Sequence, residues 1–226
     1  MEPQKILEQI KSSGRNAEEV LKMAYDMQRS IVLYESGIQE VRTKLEILQR
    51  EAQTKGGHTP IETIKSRVKN VFSVLEKLER KGFEVSMKSV EENLHDVAGI
   101  RVICPYIEDI YEVAEWLRRQ DDLRILIEKD YIKNPKPNGY RSFHMVVEVP
   151  VFLADSKRYV RVEIQLRTIA MDFWASLEHQ IRYKGPEAVP ESISSKLRQC
   201  AQTIAAIDEQ MLELYKEVRA LPDKEV

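Results

Sequence analysis

YVRVEIQLR, residues 159–167, alternates without a break. Val160, Val162, Ile164 and Leu166 fall on one side of an extended chain, and Arg161, Glu163, Gln165 and Arg167 fall on the other. That polarity describes a strand with one face on a core and one face carrying charge. A solvated sheet face gives the same pattern, so alternation alone marks no single residue as functional. Just upstream, NPKPNGYRSFHMVVEV (134–149) passes from two prolines and the turn pair Asn138-Gly139 into a second alternation. Phe143, Met145, Val147 and Val149 form its core side, and Tyr140, Ser142 and His144 its other side. An ordinary hairpin with a surface tyrosine fits this stretch, as does a site presenting a ring, a hydroxyl and an imidazole. If the two strands pair through residues 151–158, Glu163 and Gln165 join the face of Tyr140 and His144.

Two further strands are expected, VAGIRVIC (97–104) and residues 123–132, with helical spacing over 107–119 and 168–183. Farther upstream, GGHTP (56–60) ends a helical region, and Thr59-Pro60 reads as the start of a helix over 61–81 with Ile64, Val68, Val71, Val74, Leu75 and Leu78 inward. From about residue 16 to 50 a heptad stripe runs Val20, Ala24, Met27, Ile31, Tyr34, Ile38, Val41, Leu45, Leu48, with Gly37 as a point of bending. Ile193, Leu197, Cys200, Ile204, Ile207, Met211 and Leu214 repeat the device near the C-terminus. Such stripes serve packing within one chain or between subunits. Strands mid-chain and helices at both ends give the expected fold class, α+β: a mixed β-sheet of about five strands covered by helices. One domain is expected over 1–226, with a helical N-terminal extension (1–55), a catalytic core (60–185) and a C-terminal helix (190–220).

The 226 residues are 42% hydrophobic and 32% charged with a net charge of −2, a balance that disfavours wholesale electrostatic binding to nucleic acid or membrane. No apolar run reaches the length of a membrane span, and MEPQKILEQIKSSGR lacks a signal-peptide core. Cys104 and Cys200 form no metal-ligand or disulfide pattern, so the cytoplasm is the expected location.

Asp96, opening the VAGIRVIC strand, and Glu163 together suit a hard cation such as Mg²⁺, which takes one or two carboxylates plus substrate phosphates. Counter-charge comes from Lys65, Arg67, Lys69, Lys77, Arg80 and Lys81. On a helix over 61–81, Lys69, Ser73 and Lys77 share a face, an arrangement suited to phosphates and equally found on solvated helices. His95-Asp96 lacks the further ligands of a metal-dependent phosphohydrolase. Glu178-His179 sits on an amphipathic segment, where packing explains it better than zinc does. No phosphate loop ending in Gly-Lys-Ser/Thr is present.

Taken in order, RVKNVFSVLEK (67–77), DVAGIRVICPYIEDIY (96–111), KPNGYRSFH (136–144) and EIQLRTIAMDFWASLEH (163–179) resemble the RelA/SpoT synthetase family, more narrowly its single-domain small alarmone synthetases. The resemblance implies a nucleotidyltransferase-like synthetase fold and stringent-response signalling. Its reaction transfers pyrophosphate from ATP to the 3′-OH of GDP or GTP, with release of AMP and no hydrolase activity. By position, Arg67 and Arg101 match the pair flanking adenine, and Lys69, Ser73 and Lys77 match the ATP phosphate contacts. Asp96 and Glu163 match the Mg²⁺ ligands, and Glu163 also the general base. Tyr140 matches the residue on which guanine stacks, with Lys136, His144 and Gln165 as further acceptor contacts. The resemblance also implies a ring-like homotetramer assembled through the helical ends. Two departures stand out. Position 172 is Asp where some relatives carry Asn, and ETIKSRVK has Thr63 and Lys65 where RelQ-type enzymes place an aromatic and a Thr for product binding. A RelP-like, product-insensitive enzyme is therefore expected. The alternatives are a related transferase with another acceptor, and an RNA-binding regulatory protein using Lys69, Lys77 and Tyr140.

Overall fold

The computed structural model describes residues 17–55, 58–183 and 189–221. The start of the expected N-terminal extension (1–16), Gly56-Gly57 of the GGHTP break, residues 184–188 within and beyond the end of the expected core, and residues 222–226 lie outside the described residues.

Strand alternation builds a five-stranded mixed sheet in the order β1-β2-β5-β4-β3. Its strands are β1 (Thr63–Val68), β2 (Ala98–Cys104), β3 (Arg124–Asp130), β4 (Phe143–Phe152) and β5 (Lys157–Thr168). The segment 159–167 lies in the central strand, parallel to β2 and antiparallel to β4. Its inward set, Val160, Val162, Ile164 and Leu166, is buried with Met145 and Val147 of β4 and with Ile100 and Val102 of β2. Each such side chain contributes about 1.5–3 kcal/mol when fully buried.

Two helices cover this face. Helix α1 (Ala17–Thr54) supplies Ile38, Val41 and Leu45, and α4 (Ile107–Arg118) supplies Ile110, Val113, Ala114 and Leu117. The N-terminal stripe therefore packs within the chain at Val20, Met27, Ile38, Val41 and Leu45, while Ile31 is exposed. Helix α1 runs unbroken through Gly37, where it makes a close contact with the central strand. A Cβ at Gly37 would stand 2.6 Å from Val160 Cγ1, inside any real carbon–carbon contact. The glycine lets the helix lie against the central strand.

The expected helix over 61–81 is a strand followed by a shorter helix. Thr63–Val68 pairs antiparallel with β2, and α2 begins only at Val71 (Val71–Arg80). Asn70 is the start signal: its Oδ1 accepts the Ser73 amide at 2.9 Å, a side-chain cap that frees the upstream residues for the sheet. A short helix α3 (Met87–Asn93), capped by Ser86, was not expected from the sequence. With α2 and the N-terminal part of α1 it encloses a second apolar cluster around Phe72, Leu75, Leu78 and Val90.

At the C-terminal side, buried Thr168 precedes α5 (Ile169–Tyr183). Its hydroxyl accepts the Met171 amide at 3.1 Å and donates to Asp208 Oδ2 at 2.7 Å on α6 (Glu191–Ala220). Trp174 donates its indole N–H to the Leu197 carbonyl at 3.0 Å. Of the α6 stripe, Leu197 is buried, while Ile193, Cys200, Ile207, Met211 and Leu214 remain exposed. No helix among the described residues is long and apolar enough to cross a membrane.

Candidate active site

The sheet face opposite α1 and α4 carries the expected site. Register places two rows across it. One runs Arg67, Gly99, Glu163, Val146, Ile127, and the next runs Lys65, Arg101, Gln165, His144, Lys129. The pairing of β4 with β5 thus brings Glu163 and Gln165 onto the face of His144. Ser142, expected on the open side, is fully buried and donates to the Leu166 carbonyl at 3.1 Å.

Two cavities open on this face. The first, about 270 Å³, is lined by Lys65, Ser66, Arg67, Lys69, Asp96, Gly99, Ile100, Arg101, Glu163 and Gln165. The second, about 240 Å³, is lined by Lys77, Lys81, Lys129, Tyr131, Lys136, His144, Asp96 and Glu163 among others. Asp96 and Glu163 belong to both walls. Gly99 sits beside Glu163 in register, and a Cβ there would meet only the Arg67 carbonyl at 3.8 Å, so the glycine keeps the floor of the first cavity low.

Asp96 Oδ2 accepts from Lys69 Nζ at 2.5 Å and pairs with Lys77 Nζ at 2.6 Å. Lys77 lies on α2, whereas Lys69 lies before it, so the two ammonium groups converge from a linker and a helix rather than from one helical face. Burial pushes the Asp96 carboxyl up, but the two lysines outweigh it and hold the group below the usual carboxylate range. Glu163 behaves alike: burial raises it, and His144 with Gln165 bring it below its ordinary value. Both acids are therefore anionic at neutral pH. Asp96 Oδ1 is buried without a partner, an open acceptor at the junction of the cavities. Such an orphaned oxygen beside a second carboxylate fits a hard divalent cation completed by phosphate oxygens.

Ser73 stands in the first turn of α2 and lines neither cavity. Tyr140 also stands outside both linings. It follows Gly139, whose φ of +90° needs a glycine, and packs against the cluster of Trp174, Leu197 and Ala201. Its hydroxyl lies 2.8 Å from His144 Nε2, and His144 Nδ1 lies 3.3 Å from Glu163 Oε1. Lys136 Nζ sits 4.7 Å from the Tyr140 ring centroid and 4.6 Å from that of Tyr131, a cation–π arrangement that ties the loop to the turn just after β3.

Sequence reasoning named Lys81 only as counter-charge and did not assign Lys129, Tyr131 or Arg167 to the site. Lys129 lies on a strand where the sequence offered no candidate, and Arg167 shares the polar set of 159–167 with nothing to rank it among them. Asp172, singled out only as a departure, accepts at Oδ1 from Arg167 at 3.1 Å and pairs there with Arg101 Nη1 at 3.1 Å, with Lys65 Nζ 3.9 Å from Oδ2.

Residues 66–188 match the family model described as the region found in RelA / SpoT proteins. Over 193 residues the chain is 47% identical to GTP pyrophosphokinase YwaC of Bacillus subtilis (strain 168), covering 85% of this chain and 92% of that one. It is 36% identical to GTP pyrophosphokinase YjbM of the same strain, covering 85% and 90%. Among solved structures, it is similar to B. subtilis small alarmone synthetase 1 bound to its product pppGpp, with a TM-score of 0.79 at 36% identity, covering 85% of this chain and 98% of that chain. For B. subtilis small alarmone synthetase 2 the TM-score is 0.77 at 46% identity, covering 85% and 99%.

Proposed function

The chain belongs to the RelA/SpoT family, and on that premise we propose that it is a GTP pyrophosphokinase, a (p)ppGpp synthetase. The reaction moves the β,γ-pyrophosphate of ATP to the 3′-oxygen of GDP or GTP. The observation that carries this reading is the pair of cavities sharing Asp96 and Glu163. Two nucleotides can meet at that wall, and the chemistry then rests on positioning and charge stabilisation.

In this reading the first cavity receives ATP. The guanidinium groups of Arg67 and Arg101 stack on adenine, Lys69 holds the phosphates from within that cavity, and Lys77 and Ser73, outside its lining, take them where they pass the Asp96 wall toward α2. The second receives the acceptor phosphates near Lys136 and His144, with guanine reaching past its lining onto Tyr140, while Gln165 sets the orientation of Glu163. Glu163 takes the proton from the acceptor 3′-OH. The oxygen forms a bond to the β-phosphorus, the bond from that phosphorus to the α–β bridging oxygen breaks, and AMP leaves. Asp96 and Glu163 would hold a Mg²⁺, which when bound supplies charge neutralisation to the phosphates.

The single-domain division (1–55, 60–185, 190–220), a cytoplasmic location and a homotetramer belong to the same proposal. Exposed apolar residues on α6 and α5, among them Met211, Leu214 and Phe173, support the last. Light scattering at micromolar concentration checks it, and a monomer there would exclude it. Thr63 and Lys65 support a RelP-like enzyme that its product does not stimulate. Strong activation by added pentaphosphate would overturn that point. The RNA-binding alternative draws no support from the relatives.

Incubation with ATP labelled at the β and γ positions, GDP or GTP, and Mg²⁺, resolved by thin-layer chromatography, tests the reaction. Label is expected on the guanosine nucleotide together with AMP, and Glu163→Gln is expected to lower turnover roughly 10²- to 10⁴-fold. A folded protein that binds ATP and labels no guanine nucleotide would refute it.

A further inference from the structure

We infer that Arg167, on the central strand beyond the candidate residues, is the positioning residue that orients Glu163 for proton abstraction. This role rests on the synthetase reading.

Arg167 is 5% exposed, and its guanidinium donates in three directions. One terminal nitrogen reaches Tyr140 Oη at 2.7 Å and Gln165 Oε1 at 3.1 Å, and the other reaches Asp172 Oδ1 at 3.1 Å. An arginine can only donate, so the Tyr140 and Gln165 oxygens it reaches are acceptors. The Tyr140 hydroxyl accepts from Arg167 and keeps its own proton to give to His144 Nε2, 2.8 Å away, in the tautomer that lets His144 donate to Glu163. The neutral imidazole that satisfies both partners then carries its proton on Nδ1, facing Glu163 Oε1. Along the other arm, Gln165 accepts from Arg167 through Oε1, which fixes its amide, and donates through Nε2 to Glu163 Oε2 at 2.8 Å.

Two chains of hydrogen bonds therefore leave one guanidinium nitrogen and end on the two oxygens of one carboxylate. They hold its plane and leave its remaining lone pairs for the acceptor hydroxyl. Asp172 closes the back of the arrangement, holding Arg167 and Arg101 on one oxygen. The Arg167 Nε is buried without a partner, a cost that a residue retained only for stability would avoid. A lysine offers a single ammonium on a flexible stem and cannot reproduce the planar fork.

The test measures the single-turnover transfer rate with both nucleotides saturating, beside affinity for a non-hydrolysable ATP analogue. Arg167→Gln is the first variant, and Arg167→Lys replaces it if the first does not fold. The rate is expected to fall about 10- to 100-fold, the scale of losing charge-assisted hydrogen bonds, with analogue affinity little changed. In a Tyr140→Phe/Gln165→Leu background, where both arms are already cut, the same change at Arg167 is expected to cost less than about threefold more. Equal losses in the two backgrounds, or a loss confined to nucleotide affinity, would overturn the role. Wild-type protein that transfers nothing would overturn the synthetase reading and this role together. Wild-type transfer with an equally fast Arg167→Gln would overturn this role alone.

Discussion

Tyr140 combines two functions that substitutions can separate. Its ring is the proposed platform for guanine, and its hydroxyl links Arg167 to His144. Tyr140→Phe keeps the ring and removes the link, so the acceptor KM should hold while kcat falls. Tyr140→Ala removes both, and acceptor binding should weaken by roughly 1–3 kcal/mol, the scale of base–aromatic stacking. Steady-state kinetics with GDP and GTP separate the two patterns, and a Phe variant that loses only acceptor affinity would contradict the assignment. At this scale the alternation of 159–167 already separated Glu163 and Gln165 from the core. It gave no reason to rank Arg167, because its three partners lie 2, 5 and 27 residues away in sequence and converge only when the β5–α5 junction and the glycine loop are folded.

Among the elements, contact between α1 and β5 depends on Gly37. Alanine there gains about 1 kcal/mol in helix propensity, yet its methyl would meet Val160 at 2.6 Å. Overpacking of that kind costs about 1–3 kcal/mol, so Gly37→Ala should lower the urea midpoint and Val160→Ala in the same chain should recover part of the loss. The acceptor loop has a corresponding seat on α6. A Cβ at Gly139 would stand 2.6 Å from the Ala201 Cβ, at a φ of +90° that disfavours any side chain. Gly139→Ala is expected to raise the KM for the guanosine nucleotide more than that for ATP. An equal rise in both would mean that the loop serves the two nucleotides alike. Periodicity located four of the five strands. It misread β1 because Ile64, Val68, Val71, Val74, Leu75 and Leu78 fit one helical stripe, while the break between them is a single capping side chain, Asn70.

Across the whole molecule, buried carboxylates pull stability in opposite directions with pH. Asp96 and Glu163 are held below their ordinary range, so their contribution is present above the unfolded values near pH ~4 and is lost as the pH falls through the folded ones. Asp208, which joins α6 to the end of the sheet, is raised by burial, only partly offset by Thr168. Its contribution is present below the ordinary Asp range and lost as the pH rises through its folded value. Asn can still accept from Thr168 and has no charge to bury. Asp208→Asn should therefore gain in stability relative to the wild type between about pH 4 and pH 7, measured by urea unfolding at both ends. A constant difference would mean that Asp208 titrates as it does in the unfolded chain. The α+β class was legible because strands and helices separate along the chain. The fate of the two long helices was not, since a narrow apolar stripe reads the same whether it meets its own sheet, as α1 does, or stays exposed, as much of α6 does.

The wall shared by the two cavities also constrains how such a protein can diverge. A change at Asp96 or Glu163 that improves the fit of one nucleotide alters the seat of the other, so neither position can drift under selection from a single substrate. Lys81, Lys129 and Tyr131 border only one compartment, and Ser66 and Ile100 only the other. Inherited differences in substrate preference should accumulate at those outer positions, leaving descendants that differ in their choice of nucleotide and share one unaltered centre.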